Sequence, residues 1–179
     1  TAAPIAVSSC TFSNNNATYG TVYNAAESGA AIRDCNFIGN EADYGGAIYN
    51  SQSEPQIADC VLTANTAASQ GGGIYESDSA SEVTSCFFVG NQAVDGAALF
   101  YTAGSTGSVK TCVFYGNLAE AGGGAIHNDD ASPMIANCTI SRNQAGYGGA
   151  IFNANGSAPK LVNCILWDNS ASQAGAEIH

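Results

Sequence analysis

The feature that most constrains this chain is a cysteine that recurs every 25 or 26 residues along its whole length. The seven positions are Cys10, Cys35, Cys60, Cys86, Cys112, Cys138 and Cys164. A period in this range is typical of a solenoid, in which each repeat forms one coil and packs only on its neighbours. The repeat therefore predicts a single domain over residues 1–179, built from about seven coils of 25–26 residues.

Two further positions repeat in the same frame. An asparagine follows each cysteine by five residues, and an alanine follows it by seven. The asparagines are Asn15, Asn40, Asn65, Asn91, Asn117, Asn143 and Asn169. Stacked strands place like residues over like residues about 4.8 Å apart. We therefore expect an asparagine ladder whose amides bond the next coil, and an alanine column where only a small side chain fits.

Short apolar runs with period-two alternation surround these positions, which indicates β-strands. One strand begins at the cysteine, a second follows a glycine-rich corner such as Gly148–Asn153, and a third ends three residues before the next cysteine. Helical-pair repeats would need apolar stripes with a 3.6-residue period, and leucine-rich repeats would need their own leucine pattern. The sequence thus predicts an all-β, right-handed parallel β-helix with three short strands per coil.

The cysteine column points inward in this register. Seven cysteines cannot all pair within the chain, and cysteines stacked with parallel Cα–Cβ bonds have poor geometry for a disulfide. No C-x-x-C motif is present to suggest zinc. We expect these residues to act as small buried apolar side chains, with a redox role as the alternative.

A stripe of aromatic residues lies within the predicted second strand, one position after each inward aliphatic residue. Its members are Tyr23, Tyr49, Tyr75, Phe100, His127, Phe152 and His179. By alternation these rings face outward, where they would bind glycans, a partner protein or a neighbouring filament. The alternative is that the rings stack only to stabilise the sheet. A second outward apolar wall is predicted on the strand after the cysteine, at Phe87, Val89, Tyr115, Ile165 and Trp167.

Charge excludes some classes of partner. The chain has 15 acidic and four basic residues and a net charge of −11, so it lacks the basic face that nucleic acid requires. No apolar run approaches the ~20 residues of a membrane-spanning helix. We therefore expect neither nucleic-acid binding nor membrane insertion.

Catalysis has little support in the sequence. The acidic residues Glu76, Asp78, Asp129 and Asp130 are candidates for a glycosidase acid/base pair or a Ca²⁺ site. We expect them to be solvated turn residues, and the two histidines have no nucleophile at a recognisable spacing. The predictions are no enzyme activity, no catalytic residues and no cofactor, with Ca²⁺ at the acidic loops as the alternative.

Three N-glycosylation sequons begin at Asn16, Asn137 and Asn155. Asn16 and Asn155 fall in predicted exposed loops. Asn137 adjoins the inward Cys138, so we expect it to be less accessible than the other two.

Paired motifs give the chain a family resemblance. F-x-x-N occurs at Phe12–Asn15, Phe37–Asn40, Phe88–Asn91 and Phe114–Asn117, and G-G-A-I occurs at Gly45–Ile48, Gly123–Ile126 and Gly148–Ile151. In these motifs the chain resembles the repeats of polymorphic outer-membrane proteins, which are bacterial autotransporter adhesins. The resemblance implies a β-helix, and it implies an extracellular or cell-surface location.

The repeat frame also describes the two ends of the sequence. His179 falls within a predicted second strand, and Thr1 falls in the run-up to a third, so joining them gives a coil one residue short. We expect an uncapped stack that adds copies of itself head to tail or belongs to a longer β-helix. The predicted function is a non-catalytic extracellular structural protein, as a filament subunit or a segment of a surface stalk. The alternatives are an adhesin-type glycan- or protein-binding module, a polysaccharide-active enzyme and an ice-binding protein.

Overall fold

The computed structural model describes residues 5–179, which form 27 short β-strands and no helix. The strands repeat in groups of four and form four parallel sheets, named A to D here in chain order. Sheet A, which precedes each cysteine, consists of β1 (Ala6–Ser8), β5 (Ala31–Arg33), β9 (Gln56–Ala58), β13 (Glu82–Thr84), β17 (Ser108–Lys110), β21 (Met134–Ala136) and β25 (Lys160–Val162). Sheet B, which follows each cysteine, consists of β2 (Thr11–Ser13), β6 (Asn36–Ile38), β10 (Val61–Thr63), β14 (Phe87–Val89), β18 (Val113–Tyr115), β22 (Thr139–Ser141) and β26 (Ile165–Trp167).

The other two sheets complete each coil. Sheet C, which follows each ladder asparagine, consists of β3 (Asn16–Tyr19), β7 (Glu41–Tyr44), β11 (Thr66–Gln70), β15 (Gln92–Asp95), β19 (Leu118–Gly122), β23 (Gln144–Tyr147) and β27 (Ser170–Ala174). Sheet D, which follows the glycine-rich corner, consists of β4 (Val22–Asn24), β8 (Ile48–Ser51), β12 (Ile74–Ser77), β16 (Leu99–Tyr101), β20 (Ile126–Asp129) and β24 (Ile151–Ala154). Ile178 adds a single parallel bridge to Ile151 at the edge of sheet D.

Every strand pairs with the equivalent strand of the next coil, and the pairing is parallel throughout. In sheet B, for example, Phe88 lies between Leu62 and Phe114. Like residues therefore stack on like residues along one axis, with about 26 residues per turn. The expected parallel β-helix is confirmed, and the described residues make six full turns and part of a seventh.

Each complete coil has four strands, one more than the three predicted. The extra strands form sheet C, in the segment that the sequence placed at a turn. These segments are rich in alanine and polar residues of low strand propensity. Their register also shifts, as between Ala67 and Gln70 of β11, so period-two alternation is broken there.

A left-handed residue forms the bend between sheets A and B. This position has φ between 51° and 57° in every coil, at Ser9, Asp34, Asp59, Ser85, Thr111, Asn137 and Asn163. Such a φ suits Asn, Asp and small polar residues better than β-branched or bulky ones. The bend resets the alternation, so the cysteine that follows points into the core as expected.

The core is a narrow apolar column inside the four sheets. Aliphatic residues from sheets A and D, such as Val83 and Ile74, meet aromatic residues of sheet B such as Phe88, and these three side chains are sealed from solvent. The rings of Phe88 and Phe114 stack with centroids 4.7 Å apart and planes 7° apart. The sequence period thus becomes a continuous stack of side chains along the axis.

Candidate functional site

The asparagine ladder lies buried at the corner between sheets B and C. The backbone N–H and the side-chain Nδ2 of Asn65 both donate to Oδ1 of Asn91, each at 3.0 Å. The Nδ2 of Asn91 also donates to the backbone oxygen of Leu62, at 2.9 Å. The same contacts recur from coil to coil, which confirms the expected ladder. Because these bonds satisfy buried polar groups between coils, the ladder holds neighbouring coils in register.

The cysteine column runs through the core as free thiols. It is buried from Cys35 to Cys138, half-buried at Cys164 and exposed at Cys10. Each thiol donates to a nearby carbonyl, as Cys86 does to Thr84 at 3.3 Å. The neighbouring thiol of Cys112, and then burial, raise the pKa of Cys86 to about 12. Such a thiol is a poor nucleophile, which favours a packing role for Cys86.

The aromatic stripe stacks as expected but is not open to solvent along its length. The rings of Tyr75 and Phe100 are stacked and nearly parallel, with centroids 5.5 Å apart and an angle of 3° between their planes. Phe100 is only 1% exposed and His127 only 7%. The expectation of an outward stripe free for binding is therefore wrong in its middle. The side chains at the end of sheet C lie beside these rings, as Asp95 does beside His127, and cover them.

His127 illustrates how the middle of the stripe is enclosed. Its ring lies between Phe100 and Phe152, with centroids 4.7 and 4.8 Å away. Its Nδ1 is 3.3 Å from Oδ1 of Asp95, and that oxygen also accepts the backbone N–H of Gly122 at 2.9 Å. The pair resembles the supporting half of a catalytic triad, but its imidazole is packed between the rings of Phe100 and Phe152.

The low-numbered coils expose a cluster that we call the tyrosine platform, formed by Tyr19, Tyr23, Tyr44 and Tyr49. Tyr19 and Tyr23 are 51% and 53% exposed. The centroid of Tyr19 lies 5.1 Å from that of Tyr49 and 6.1 Å from that of Tyr44. Sequence analysis missed Tyr19 and Tyr44 because sheet C was not predicted. Both come nine residues after a cysteine, as does Tyr147, and that spacing was the available signal.

The outer face of sheet B is a second exposed apolar surface. Its strands carry no charged residue on either outward column, although the chain is strongly acidic. Phe87, Tyr115, Ile165 and Trp167 are all at least 41% exposed, in agreement with the predicted outward wall. The guanidinium of Arg142 lies over the rings of Tyr115 and Trp167, at 5.8 and 5.9 Å from their centroids. The guanidinium thus makes a cation–π contact with each of the two rings at the edge of the wall.

The acidic residues do not form the paired site considered from the sequence. Glu76 is completely buried, so its assignment as a solvated turn residue is wrong. Asp78 and Asp130 occupy turns with left-handed φ, and Asp129 accepts a hydrogen bond from Asn155. Within residues 5–179, no group of three or more histidine, cysteine, aspartate or glutamate side chains is arranged to hold a metal ion.

Glu76 belongs to an inward polar column of sheet D that sequence analysis missed. The register places its members one above another, at Asn24, Asn50, Glu76, Tyr101, Asn128 and Asn153. Burial raises the pKa of Glu76 to about 7, against hydrogen bonds from Ser81 and Asn50 that lower it. The signal was present, because period-two alternation from the inward Ile74 already points Glu76 into the core.

All three sequon asparagines are exposed. Asn16 begins β3, and Asn155 lies in the turn after β24. The expectation that Asn137 is less accessible is wrong, because its left-handed φ of 56° turns its side chain outward to accept a bond from Asn163 at 2.7 Å.

A shallow depression of about 500 Å³ lies on the outer face of sheet C. Leu118, Glu120, Gln144 and Ser170 line it, together with the small residues between them. Ala119, Ala145 and Ala171 of the alanine column are among these small residues. The depression is open and carries one carboxylate.

These features define the class of protein: a parallel β-helix repeat protein whose coils are joined by internal side-chain ladders. The family model for the right-handed β-helix region matches residues 3–114 and 58–179. The chain therefore belongs to the right-handed β-helix family. No curated protein matches the chain. Among the described residues, no helix has the length and apolar character needed to cross a membrane. The resemblance to polymorphic outer-membrane-protein repeats stays a prediction.

Proposed function

We propose that this chain is a non-catalytic structural rod at the cell surface or outside the cell, which extends along its axis by adding coil to coil. The observation that carries this proposal is the unbroken stacking of the coils, with the asparagine ladder running from Asn15 to Asn169. Such a fold resists bending because every coil is bonded to its neighbours by backbone and side chain alike. One carboxylate of the candidate catalytic set, Glu76, is sealed inside, which favours structure over catalysis.

The outermost described coils have strand edges that pair on one side only. Inner side chains such as Phe12 at one end and Leu166 at the other are only partly buried, and their strands have a partner on one side only. A further coil, from the same chain or from a second copy, would bury these side chains and pair these edges. In a head-to-tail stack Phe12 would follow Leu166 in the frame, and Asn15 would follow Asn169.

A tandem fusion tests axial growth directly. We expect two copies of the chain, joined through one added glycine that restores the 26-residue period, to form one continuous rod. Small-angle scattering should then show a length of about 67 Å instead of about 34 Å, from the 4.8 Å strand spacing. A test variant carries Phe12→Asp, at the end face, in the second copy. Its matched control carries Thr11→Asp, on the outer wall, in the same copy. Two separately moving halves, or equal effects of the two substitutions, would contradict the proposal.

A second candidate function is glycan binding by the tyrosine platform. Exposed tyrosine rings offer an apolar face to a sugar ring and a hydroxyl to its oxygens. The neighbouring outward residues of sheet C, Glu41 and Asp43, are acidic, which favours neutral or cationic saccharides over acidic ones. On a glycan array, Tyr19→Ala and Tyr23→Ala should lower binding at least tenfold, whereas Phe87→Ala on sheet B should not. Absence of binding by the wild type would sink this candidate.

A further inference from the structure

The outer face of sheet B differs in charge from the outer faces of sheets A and C. Its two outward columns run through all seven strands, at Thr11, Asn36, Val61, Phe87, Val113, Thr139 and Ile165, and at Ser13, Ile38, Thr63, Val89, Tyr115, Ser141 and Trp167. Every residue of these two columns is uncharged. Four strands of sheet A and three strands of sheet C carry charged residues. Sheet B thus gives the rod one long uncharged wall.

The charges of the chain are divided between two sides of the coil. Sheets A and B, with the bends between them and the residue after each strand of sheet B, contain all four basic residues. They also contain four acidic residues, Asp34, Asp59, Glu82 and Asp168. The rest of the sequence contains the remaining 11 acidic residues and no basic residue. The side formed by sheets A and B therefore has balanced charges, whereas the side formed by sheets C and D carries the net charge of −11.

The exposed side chains of this wall are of the kinds that protein interfaces favour. Phe87, Ile165 and Trp167 are 50%, 62% and 60% exposed. The centres of protein–protein interfaces are enriched in aromatic residues and arginine and depleted of lysine, glutamate and aspartate. The one cation at the edge, Arg142, is 3.1 Å from a carboxylate oxygen of Asp168, so the edge adds no unpaired charge. A contiguous apolar surface of this kind marks a site of interaction.

We propose that sheet B is the face through which two copies of this chain pair side by side, with the axes of the two rods aligned. The two walls pack as stacked sheets do, about 10 Å apart. Both copies use the same surface, so the contact is symmetric and closes at two copies. This pairing is independent of axial growth, because it uses the side of the rod and leaves the end faces free.

Two features of the wall favour a second copy as the partner. Each strand of sheet B forms one ridge, and the ridges recur about every 4.8 Å along the axis. A partner stays in step with these ridges over seven coils when it has the same spacing, as a second copy does. Charge points to the same choice of face. Contact through sheets C and D would oppose two strongly acidic surfaces, whereas contact through sheet B brings together two uncharged ones.

The size of the wall sets the strength of the pair. Seven strands about 4.8 Å apart give a length of about 34 Å, and five residues, counting one flanking position on each side, give a width of about 16 Å. The pair would bury roughly 1,100 Å² in total from these dimensions. Stable complexes bury about 1,200–2,000 Å². We therefore expect a reversible dimer with a dissociation constant in the micromolar range, which tightens as coils are added to the rod.

Sedimentation equilibrium of the wild type and Phe87→Lys tests the proposal. Phe87 lies on the middle strand of sheet B, three coils from either end of the sheet, so the substitution acts on side-by-side contact only. We expect the wild type to dimerise and Phe87→Lys to weaken the dimer on the order of tenfold or more. The matched control is Leu118→Lys, which makes the same charge change at a 43% exposed site on sheet C and should have no effect. A wild type that stays monomeric at about 1 mM, or equal effects of the two substitutions, would overturn the proposal.

The fluorescence of Trp167 gives a second readout, which needs no substitution on the wall. Trp167 is the only tryptophan of the chain, so its emission should move to shorter wavelength, and acrylamide should quench it less, as the concentration rises and the dimer forms. Phe12→Asp, at the end face, should leave this shift intact, because it disturbs axial contact only. Loss of the shift in Phe12→Asp would show that the copies meet end to end. A dimer in which Trp167 stays open to acrylamide would use another face, and either result would overturn the proposal.

Discussion

The side-chain oxygen of Asn117 accepts two hydrogen bonds from Asn91, from the backbone N–H at 2.9 Å and from Nδ2 at 3.0 Å. The side-chain oxygen of one asparagine thus satisfies both a backbone donor and a side-chain donor of the preceding coil. Aspartate at this position would lack the donor that continues the ladder, and glutamine would be too long by one methylene. The contact therefore explains why asparagine recurs five residues after every cysteine.

Asn91→Ala should be strongly destabilising. It removes the amide bonds to Asn117 and Leu62 and leaves the backbone N–H of Asn65 without its acceptor. We expect the free energy of unfolding to fall by about 3 kcal/mol or more, measured by urea denaturation. The control is Asn16→Ala, whose exposed side chain makes one long bond to Glu41. A loss within about 1 kcal/mol of the control would mean that the ladder stabilises little.

Gly72→Ala should distort the corner between sheets C and D. An added Cβ would press against the backbone oxygens of Gln92 and Ala97 in the next coil, well inside contact distance. Because backbone cannot yield as a flexible side chain does, we expect a loss of about 3 kcal/mol. Gly90→Ala is the control, since its Cβ would meet nothing within 4 Å and only its left-handed φ of 62° is unfavourable. Thermal melts should place the control between wild type and Gly72→Ala.

Truncations along the aromatic stripe should distinguish rings that pack in the interior from rings that lie at the surface. Phe100 is enclosed, so Phe100→Ala should reduce stability by about 4 kcal/mol through lost burial and a cavity. Tyr23 is half-exposed at the end of the same stripe, and Tyr23→Ala should cost only about 1 kcal/mol. Chemical denaturation of both variants measures the difference. Equal losses would show that exposure does not set the role of these rings.

Thiol reactivity should follow position in the cysteine column. At pH 8, iodoacetamide should modify the exposed Cys10 rapidly, whereas Cys86 and Cys112 should react only after unfolding, because their pKa values are raised to about 12. Peptide mass spectrometry after timed labelling gives the order. Cys10→Ser should remove the fast phase. Early labelling of Cys86 in folded protein would contradict the buried column.

Periodicity predicted most of the fold because stacking converts sequence spacing directly into neighbours in space. Once Cys10 and Cys35 are one turn apart, every residue between them has a partner 25 or 26 positions away. Sheet C escaped prediction because its strands are small, polar and bulged, so local pattern does not distinguish them from turns. Its register still follows the repeat, as with Ala17 and Ala42.

The candidate sites were harder to predict because alternation gives direction but not exposure. Phe100 points outward from sheet D, yet it is covered by the corner of sheet C, which no local pattern reveals. Glu76 shows the opposite case. Alternation pointed Glu76 inward, but its charge suggested that it faces solvent. The buried amide of Asn50 that donates a hydrogen bond to it lies a full coil away in sequence.

The coil geometry also determines how the molecule would respond to force. The coils are joined along the axis by hydrogen bonds, so a pull on the two ends of the stack is carried by those bonds, and an outermost coil, which is paired on one side only, would separate first. The hydrogen bonds of that coil would part as a group, and the next coil would then become the outermost. Each release would free about 26 residues, or roughly 90 Å of extended chain. Under tension the rod would therefore lengthen in equal steps, and each step would dissipate mechanical energy.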